Sequence, residues 1–369
     1  MREVPDRIRR LPQQYFTALL GRVAGAAADG GEPLVDLGRG NPEVGPPPHV
    51  VEALQHSAAR PDVHGYAPFS GLPALKDAIA ARYLEVYGVE LDPAREVAVV
   101  PGSKTALMEF ALVAVERGGT IVLPDPGYPD YPSAVALAGA RQASFRDFES
   151  AEGSAVYLNF PSNPTAACVP PGTFEEAVRW AERRRALVLH DFAYGDLVFE
   201  GRSPASFLAV EGARDVGVEL FSMSKSYGMA GWRLGFVLGN AEVVSRIELL
   251  QDHVFAGIFR PVQEACIAAL TGPQESVEER RAAYERRRNR ALAALGGVDA
   301  QSEGTFFVWF RLPDDVSAES LLLEDRVAVA PGEGFGEQGR GWARLSLAVT
   351  DETLDAGLQR LRAALRAKV

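Results

Sequence analysis

Short apolar runs that alternate with helix-patterned segments constrain this chain more than any other feature of its sequence. The runs at 97–100, 120–123, 155–158, 186–189, 218–221 and 234–238 are four or five residues long and nearly free of polar side chains. Strands of that kind are buried on both faces. Alternating with helices, they build a mainly parallel sheet covered on both sides. Helical patterning follows at 103 onward, 130–138 and 173–185, and an amphipathic helix over 73–87 precedes the first run. Upstream lie a helix over 13–28, a short strand over 34–37, the loop Gly38-Arg39-Gly40-Asn41-Pro42, and a helix set up by Pro46-Pro47-Pro48, proline being tolerated in a first turn. A break at Thr271-Gly272-Pro273 precedes a long charged helix over 275–295. Strands over 304–311 and 342–349 flank a glycine-rich loop over 331–341. A last helix carries Leu354, Leu358, Leu361 and Leu365 at helical spacing. The expected fold class is α/β. Residues 43–272 form the large sheet domain, 1–42 an N-terminal arm and part of a small α+β domain, and 273–369 the interdomain helix and the rest of that small domain.

The polar groups fall in one place. Gly102-Ser103-Lys104, Asp125 to Tyr128, Asn159 to Asn163, Asp191 with Tyr194, and Ser222 to Lys225 each follow the carboxyl end of an expected strand. In open α/β sheets the ligand crevice lies along that edge. Lys225 is conspicuous because only four lysines occur (Lys76, Lys104, Lys225, Lys368) among 38 lysines and arginines. A guanidinium stays protonated, whereas a desolvated ammonium loses its proton and forms an imine, so a Schiff-base lysine is a role arginine cannot fill. Taken alone, Ser224-Lys225-Ser226 is also an ordinary solvated turn.

Composition removes several function classes. The chain has 369 residues, 47% hydrophobic and 24% charged, with a net charge of −11, which argues against nucleic acid or an anionic membrane as partner. The arginine-rich stretches 182–185 and 279–290 carry interspersed acids and alanines at helical spacing, as solvated helix faces do. No run approaches a membrane span, and the amino-terminal MREVPDRIRR has no apolar segment behind it. Cys168 and Cys266 stand far apart without paired histidines, so neither a metal site nor a disulfide framework is expected, and the protein is read as cytoplasmic.

The remaining polar residues specify a chemistry. Free N–H groups at the helix start around Ser103 and Lys104, with Ser222 and the fork of Arg233, suit a phosphate. A buried carboxylate, Asp191, suits a ring nitrogen that must stay protonated. Asn163 and Tyr194 suit a phenolic oxygen, and Tyr128 a flat ring. An imine-forming lysine added to these describes pyridoxal 5'-phosphate. Singly, Asp191 reads as a helix cap, Ser103 as an N-cap, Tyr128 as a core aromatic and Arg344 as a surface residue.

Five motifs in order carry a family resemblance over essentially the whole chain. They are Asp125-Pro126-Gly127-Tyr128-Pro129, Pro161-Ser162-Asn163-Pro164-Thr165, Asp191-Phe192-Ala193-Tyr194, Ser222-Met223-Ser224-Lys225 through Gly231-Trp232-Arg233-Leu234-Gly235, and Ala343-Arg344-Leu345-Ser346. With these the chain resembles the class I/II aminotransferases of the fold-type-I pyridoxal-phosphate superfamily. Leu37 to Pro42 and Tyr66 to Leu72 are most similar to the subgroup of LL-diaminopimelate aminotransferase-like enzymes. The resemblance implies a ping-pong transfer of an amino group from an L-amino acid to a 2-oxo acid. It implies that Lys225 carries the Schiff base and moves the proton between the substrate α-carbon and the cofactor, and that Asp191 keeps the pyridine nitrogen protonated. Tyr194 and Asn163 would contact the ring oxygen and Tyr128 would stack. Ser103, Lys104, Ser222 and Arg233 would hold the phosphate. Arg344, beside Asn163 and the Gly40 backbone, would bind the substrate carboxylate. Tyr66 matches a tyrosine that reaches the phosphate of the neighbouring subunit, which implies a homodimer with shared active sites.

Other outcomes stay open at this point. The same cofactor and fold also support lyase, decarboxylase or oxidase reactions, and a ligand-sensing module without catalysis is disfavoured by the retained Lys225 and by the absence of a DNA-binding segment ahead of the fold. Ala166 and Ala167 stand where the family has glycine, which implies a displaced or stiffer loop. Arg260 either points at an acidic substrate or pairs on the surface, Arg39 is a second candidate for a substrate carboxylate, and Glu333 would instead attract a cationic side chain.

Overall fold

The computed structural model describes residues 3–366, so Lys368 lies outside the described residues. Seven strands form the main sheet in the order Val97–Val100, Gly235–Gly239, Gly217–Ser222, Leu187–Asp191, Ala155–Asn159, Thr120–Leu123, Arg141–Ser144. All neighbours run parallel except Gly235–Gly239, which is antiparallel to both strands beside it. The mainly parallel expectation therefore holds, with one reversed strand returning the chain after Lys225.

Successive residues on the inner strands enter opposite cores, as the pleat requires. Val97, Val99, Phe236 and Leu238 pack on one face beneath the helices Pro48–Ala58, Pro73–Tyr87, Thr173–Arg184 and Arg260–Thr271. Ala98, Val100, Val237 and Leu220 pack on the other beneath Ser103–Ala114, Tyr131–Leu137 and Ala241–Val254. Both faces being apolar explains why the strands read as unbroken hydrophobic runs. The edge strand Arg141–Ser144 is largely exposed and polar, so it carries no such run and escapes a reading based on hydrophobicity. The helices Ala241–Val254 and Arg260–Thr271 are likewise additions to the expected elements.

A second core gathers both ends of the chain. An antiparallel sheet of Ala330–Pro331, Trp342–Ser346, Phe307–Arg311 and Ala300–Gln301 packs with the helices Glu275–Ala294 and Asp351–Arg366. Val35–Asp36 pairs in parallel with Val327–Ala328. Leu354, Leu358, Leu361 and Leu365 of the last helix are all buried there. The glycine-rich stretch after Pro331 is not open loop but two short turns of helix, Gly332–Phe335 and Glu337–Gly339. The helix Tyr15–Ala28 lies against Trp309, Ala330 and Phe335, and the same face, with Leu20 beside it, borders the cavity at the carboxyl edge of the main sheet.

Candidate active site

The carboxyl ends of the parallel strands open into a cavity of about 480 Å³. Lys225 leaves the strand Gly217–Ser222 through one short helical turn, Met223–Ser226, and its Nζ donates to the carbonyl of Gly40 at 3.4 Å. The ammonium lies 5.1 Å from the ring of Phe306 and 5.8 Å from that of Tyr194. Desolvation, helped by the positive charges of Arg344 and Arg233, lowers its pKa to about 8, against a smaller opposing effect of Asp191. A free amine is thus accessible near neutral pH, as an imine-forming lysine requires.

Asp191 ends the neighbouring strand and is buried. Tyr131 donates its hydroxyl to Oδ2 at 2.9 Å and Ala193 its N–H to Oδ1 at 3.2 Å. Burial raises the carboxyl pKa despite these donors. A cation brought against it would restore the ionised form, and a protonated ring nitrogen is such a cation. Asn159 donates to the carbonyl of Asp191 at 2.8 Å while its Oδ1 accepts the N–H of Asn163 at 2.7 Å. That amide staples the Asn163 turn to the Asp191 strand. Ala166 adopts φ 57°, the left-handed conformation glycine would take at less cost, and its carbonyl accepts the N–H groups of Glu303 and Gly304 at 2.9 and 3.0 Å. The loop is thus tied through the Ala166 carbonyl to residues 303–304.

At the other end, the helix Ser103–Ala114 presents its first N–H groups, which have no intrahelical partner. A Cβ at Gly102, whose φ is +87°, would lie 2.3 Å from Nη2 of Arg233, so only glycine lets that guanidinium approach the helix start. Arg233 is anchored by Nη1 to the carbonyl of Ala230 at 2.9 Å. Ser103, Lys104, Ser224 and Arg233 line this corner. Ser222 lies beneath them, buried, its Oγ accepting the N–H of Ser224 at 3.2 Å. The donor set fits a phosphate.

Arg344 closes the opposite corner. Its neighbours Ala343 and Leu345 enter the second core, so strand alternation turns the guanidinium into the cavity. Nη1 donates to Oδ1 of Asn163 at 2.6 Å and Nη2 to the carbonyl of Gly38 at 3.2 Å, while buried Nε has no partner. The rings of Phe307, Phe335 and Phe16 lie 3.8, 4.8 and 5.3 Å away. No carboxylate neutralises it among the described residues, and burial lowers its pKa to about 10. A Cβ at Gly40 would come within 2.9 Å of Phe307 and 3.4 Å of Nη2 of Arg344, which keeps this approach free. A desolvated arginine of this kind is prepared for a carboxylate.

Of the residues expected from sequence, Gly40, Arg39, Ser103, Lys104, Tyr128, Asn163, Asp191, Tyr194, Lys225, Arg233 and Arg344 line one cavity. Arg260 does not. Its Nε is taken by Glu264 at 2.7 Å and its Nη1 lies 3.6 Å from Asp62, so the surface pairing holds and the substrate-binding alternative is dropped. Glu333 is exposed outside the cavity, and Tyr66 is 87% exposed on the surface of the chain. The sequence assigns Tyr131 no part, and it names Asn159 and Ser224 only within polar stretches, without a role of their own. Phe16, Leu19, Leu20 and Val23, which line the cavity from the helix Tyr15–Ala28, are additions made by the structure. Their signal is the helical spacing of four apolar residues near an expected ligand edge. Among the described residues, no helix is long and apolar enough to cross a membrane, and no group of three or more His, Cys, Asp or Glu is placed to hold a metal ion.

A desolvated lysine, a buried carboxylate, an anion corner and an uncompensated arginine at the carboxyl edge of an α/β sheet define an enzyme of amine chemistry on carboxylate substrates. Aminotransferase class I and II is the family that matches, over residues 32–361. An L-glutamine--4-(methylsulfanyl)-2-oxobutanoate aminotransferase of Bacillus subtilis is 42% identical, covering 96% of this chain and 94% of that protein. An LL-diaminopimelate aminotransferase of Moorella thermoacetica is 35% identical, covering 97% of each. Among solved structures, substrate-bound BacF from Bacillus subtilis aligns with a TM-score of 0.92 at 35% identity, covering 99% of this chain and 98% of that one. The chain belongs to the class I and II aminotransferases, which use pyridoxal phosphate, and its fold is their fold type I. It is a transaminase, and neither a lyase, decarboxylase or oxidase outcome nor a sensing role is favoured.

Proposed function

We propose that this aminotransferase holds pyridoxal phosphate in the 480 Å³ cavity and there cycles between an L-amino acid and a 2-oxo acid by a ping-pong mechanism. The observation that carries the reading is Lys225, with its pKa lowered to about 8, in one cavity with the uncompensated Arg344 and the buried Asp191. When bound, the cofactor supplies an electron sink for the pair left behind as the α-proton of the substrate departs. Lys225 would hold the cofactor covalently and, once displaced, carry that proton away from and back to the substrate. Asp191 would hold the ring nitrogen's proton, Asn163 and Tyr194 would face the ring oxygen, and Tyr128 would lie along the ring. The Ser103 and Lys104 N–H groups, with Ser222, Ser224 and Arg233, would hold the phosphate. Arg344 would fix the substrate α-carboxylate, which orients the α-proton toward Lys225.

Three further parts belong to this reading. Residues 43–272 act as the cofactor domain, and 1–42 with 273–369 as the arm and small domain. Exposed Tyr66, beside exposed Phe69 at 6.3 Å, marks the face of a homodimer in which it reaches the partner's phosphate. A monomer in sedimentation at working concentration would remove that part. Two free cysteines suit a reducing cytoplasm, and an extracellular location in a fractionation would contradict it.

The test is the absorbance of the protein loaded with pyridoxal phosphate, before and after L-amino acids under anaerobic conditions. Expected is a visible band that bleaches as 2-oxo acid is released in proportion to sites, and that borohydride fixes to the chain but not to Lys225→Ala. A protein that takes up no cofactor sinks the reading, and ammonia released without bleaching sinks transamination.

A further inference from the structure

A ping-pong cycle brings two different substrates into one cavity, and this cavity has two unlike surfaces for a side chain. The segment 38–40 runs between the two groups that fix a substrate. The Gly38 carbonyl accepts from Arg344 at 3.2 Å, and the Gly40 carbonyl accepts from Lys225 at 3.4 Å. A substrate with its α-carboxylate on Arg344 and its α-carbon at Lys225 therefore lies over this segment, and the residue between the two glycines is Arg39. Its side chain lines the cavity, is exposed, and takes part in no hydrogen bond or ion pair among the described residues. The other basic residues of the cavity are already engaged. Lys104 pairs with Asp130 at 3.0 Å, Arg233 is tied to Ala230, and Lys225 and Arg344 have the roles above. Of the lining acids, Asp36 accepts the Gly38 N–H at 2.9 Å and Asp191 is held by Tyr131, so neither neutralises Arg39.

The second surface is apolar. Phe16, Leu19, Leu20 and Val23 are related by three- and four-residue spacings on the helix Tyr15–Ala28, so they share one face; that face packs on Trp309 and Phe335 and also lines the cavity. Leu20 is 42% exposed.

Resting on the aminotransferase reading, we propose that these surfaces divide the two half-reactions. Arg39 binds the side-chain carboxylate of a dicarboxylic substrate, glutamate or its 2-oxo acid, and the Phe16–Leu19–Leu20–Val23 stripe binds an uncharged, apolar side chain of the other substrate. A guanidinium on a flexible stem at the cavity rim meets the first and swings into water for the second, so one site serves both without a buried unpaired charge.

The experiment measures single-turnover half-reactions of the loaded enzyme with L-glutamate and with L-methionine. Arg39→Gln should lower the ratio of their kcat/KM values, glutamate over methionine, by about 10- to 100-fold, the scale of a lost charged hydrogen bond. Arg39→Lys should recover part of that ratio, and Leu20→Asp should raise it. Both positions are exposed, so the variants are expected to fold, which circular dichroism verifies. Independently of turnover, glutarate should raise the Tm of the unaltered protein more than that of Arg39→Gln, whereas 4-methylpentanoate should not distinguish them. A ratio unchanged in Arg39→Gln, or glutamate and methionine falling together, overturns the assignment while leaving the aminotransferase reading intact. If no amino acid reacts with the unaltered protein, it is that reading that fails.

Discussion

Replacing Arg344 by methionine separates function from stability in a way that tests the account of this site. The guanidinium is 1% exposed, stands among three aromatic rings, lacks an ionic partner, and leaves Nε unpaired. Its pKa, brought by burial to about 10, corresponds to roughly 3 kcal/mol of disfavoured charge in the protein without ligand. Arg344→Met removes that cost and keeps the volume beside Phe307. It also strips a donor from Asn163 Oδ1 and from the Gly38 carbonyl, which returns about 1 kcal/mol each in a cavity that admits water. The net expectation is a protein as stable as the parent or up to about 2 kcal/mol more stable. Catalysis moves the opposite way. Loss of a desolvated carboxylate contact costs about 3–5 kcal/mol, so kcat/KM for an amino acid should fall by roughly 10²- to 10⁴-fold. Urea denaturation of the cofactor-free protein gives the first number and single-turnover kinetics the second. A 2-oxo acid should raise the Tm of the parent and not of the variant, because only the parent's native state binds it. Destabilisation beyond about 2 kcal/mol, or kcat/KM kept within about tenfold, would refute the idea that this arginine is held at a stability cost for its ligand.

Two further expectations concern protons. Covalent uptake of pyridoxal phosphate by the cofactor-free chain should accelerate as pH rises through about 8, where Lys225 loses its proton, and the midpoint should move upward in Arg344→Met, because the Arg344 charge contributes to the depression; a rate that climbs only near the ordinary lysine value would contradict the burial argument. Glu109 is buried and its pKa is raised by desolvation from 4.5 to about 7, opposed by Gln251, whose Nε2 donates to both carboxylate oxygens at 3.1 and 3.3 Å. Between those values the folded chain keeps a proton that the unfolded chain has lost, so stability falls as pH rises across this window. Glu109→Gln should therefore be more stable than the parent by about 1–3 kcal/mol at about pH 8, with the gap closing toward about pH 4.5, as urea midpoints would show.

Local sequence was a good guide wherever a residue's surroundings are its neighbours in the chain. The helix Pro73–Tyr87 and the strands Val97–Val100 and Thr120–Leu123 have the expected bounds, because unbroken apolar runs and a proline-led helix start are local signals. Arg141–Ser144 leaves no hydrophobic signature in the sequence, because an exposed edge strand needs no apolar run, only the partner Thr120–Leu123. For Arg260 the sequence leaves substrate contact and surface pairing both open, and Glu264, one helical turn on, captures it.

The order of the buried strands and of most helices, the turns at their ends and the type of chemistry are thus determined by the sequence itself, since short runs, turn residues and a lysine among arginines each carry their meaning locally. Tertiary structure decided which of these groups meet. Arg344 reaches Asn163 across 181 positions of chain, and Lys225 reaches Gly40 across 185. No periodicity encodes such distances, which follow from the docking of the second core and the helix Tyr15–Ala28 against the carboxyl edge of the main sheet. Burial arises at the same step. Desolvation moves Lys225, Asp191 and Arg344 away from their ordinary pKa values, and a side chain is desolvated only when distant parts of the chain close around it.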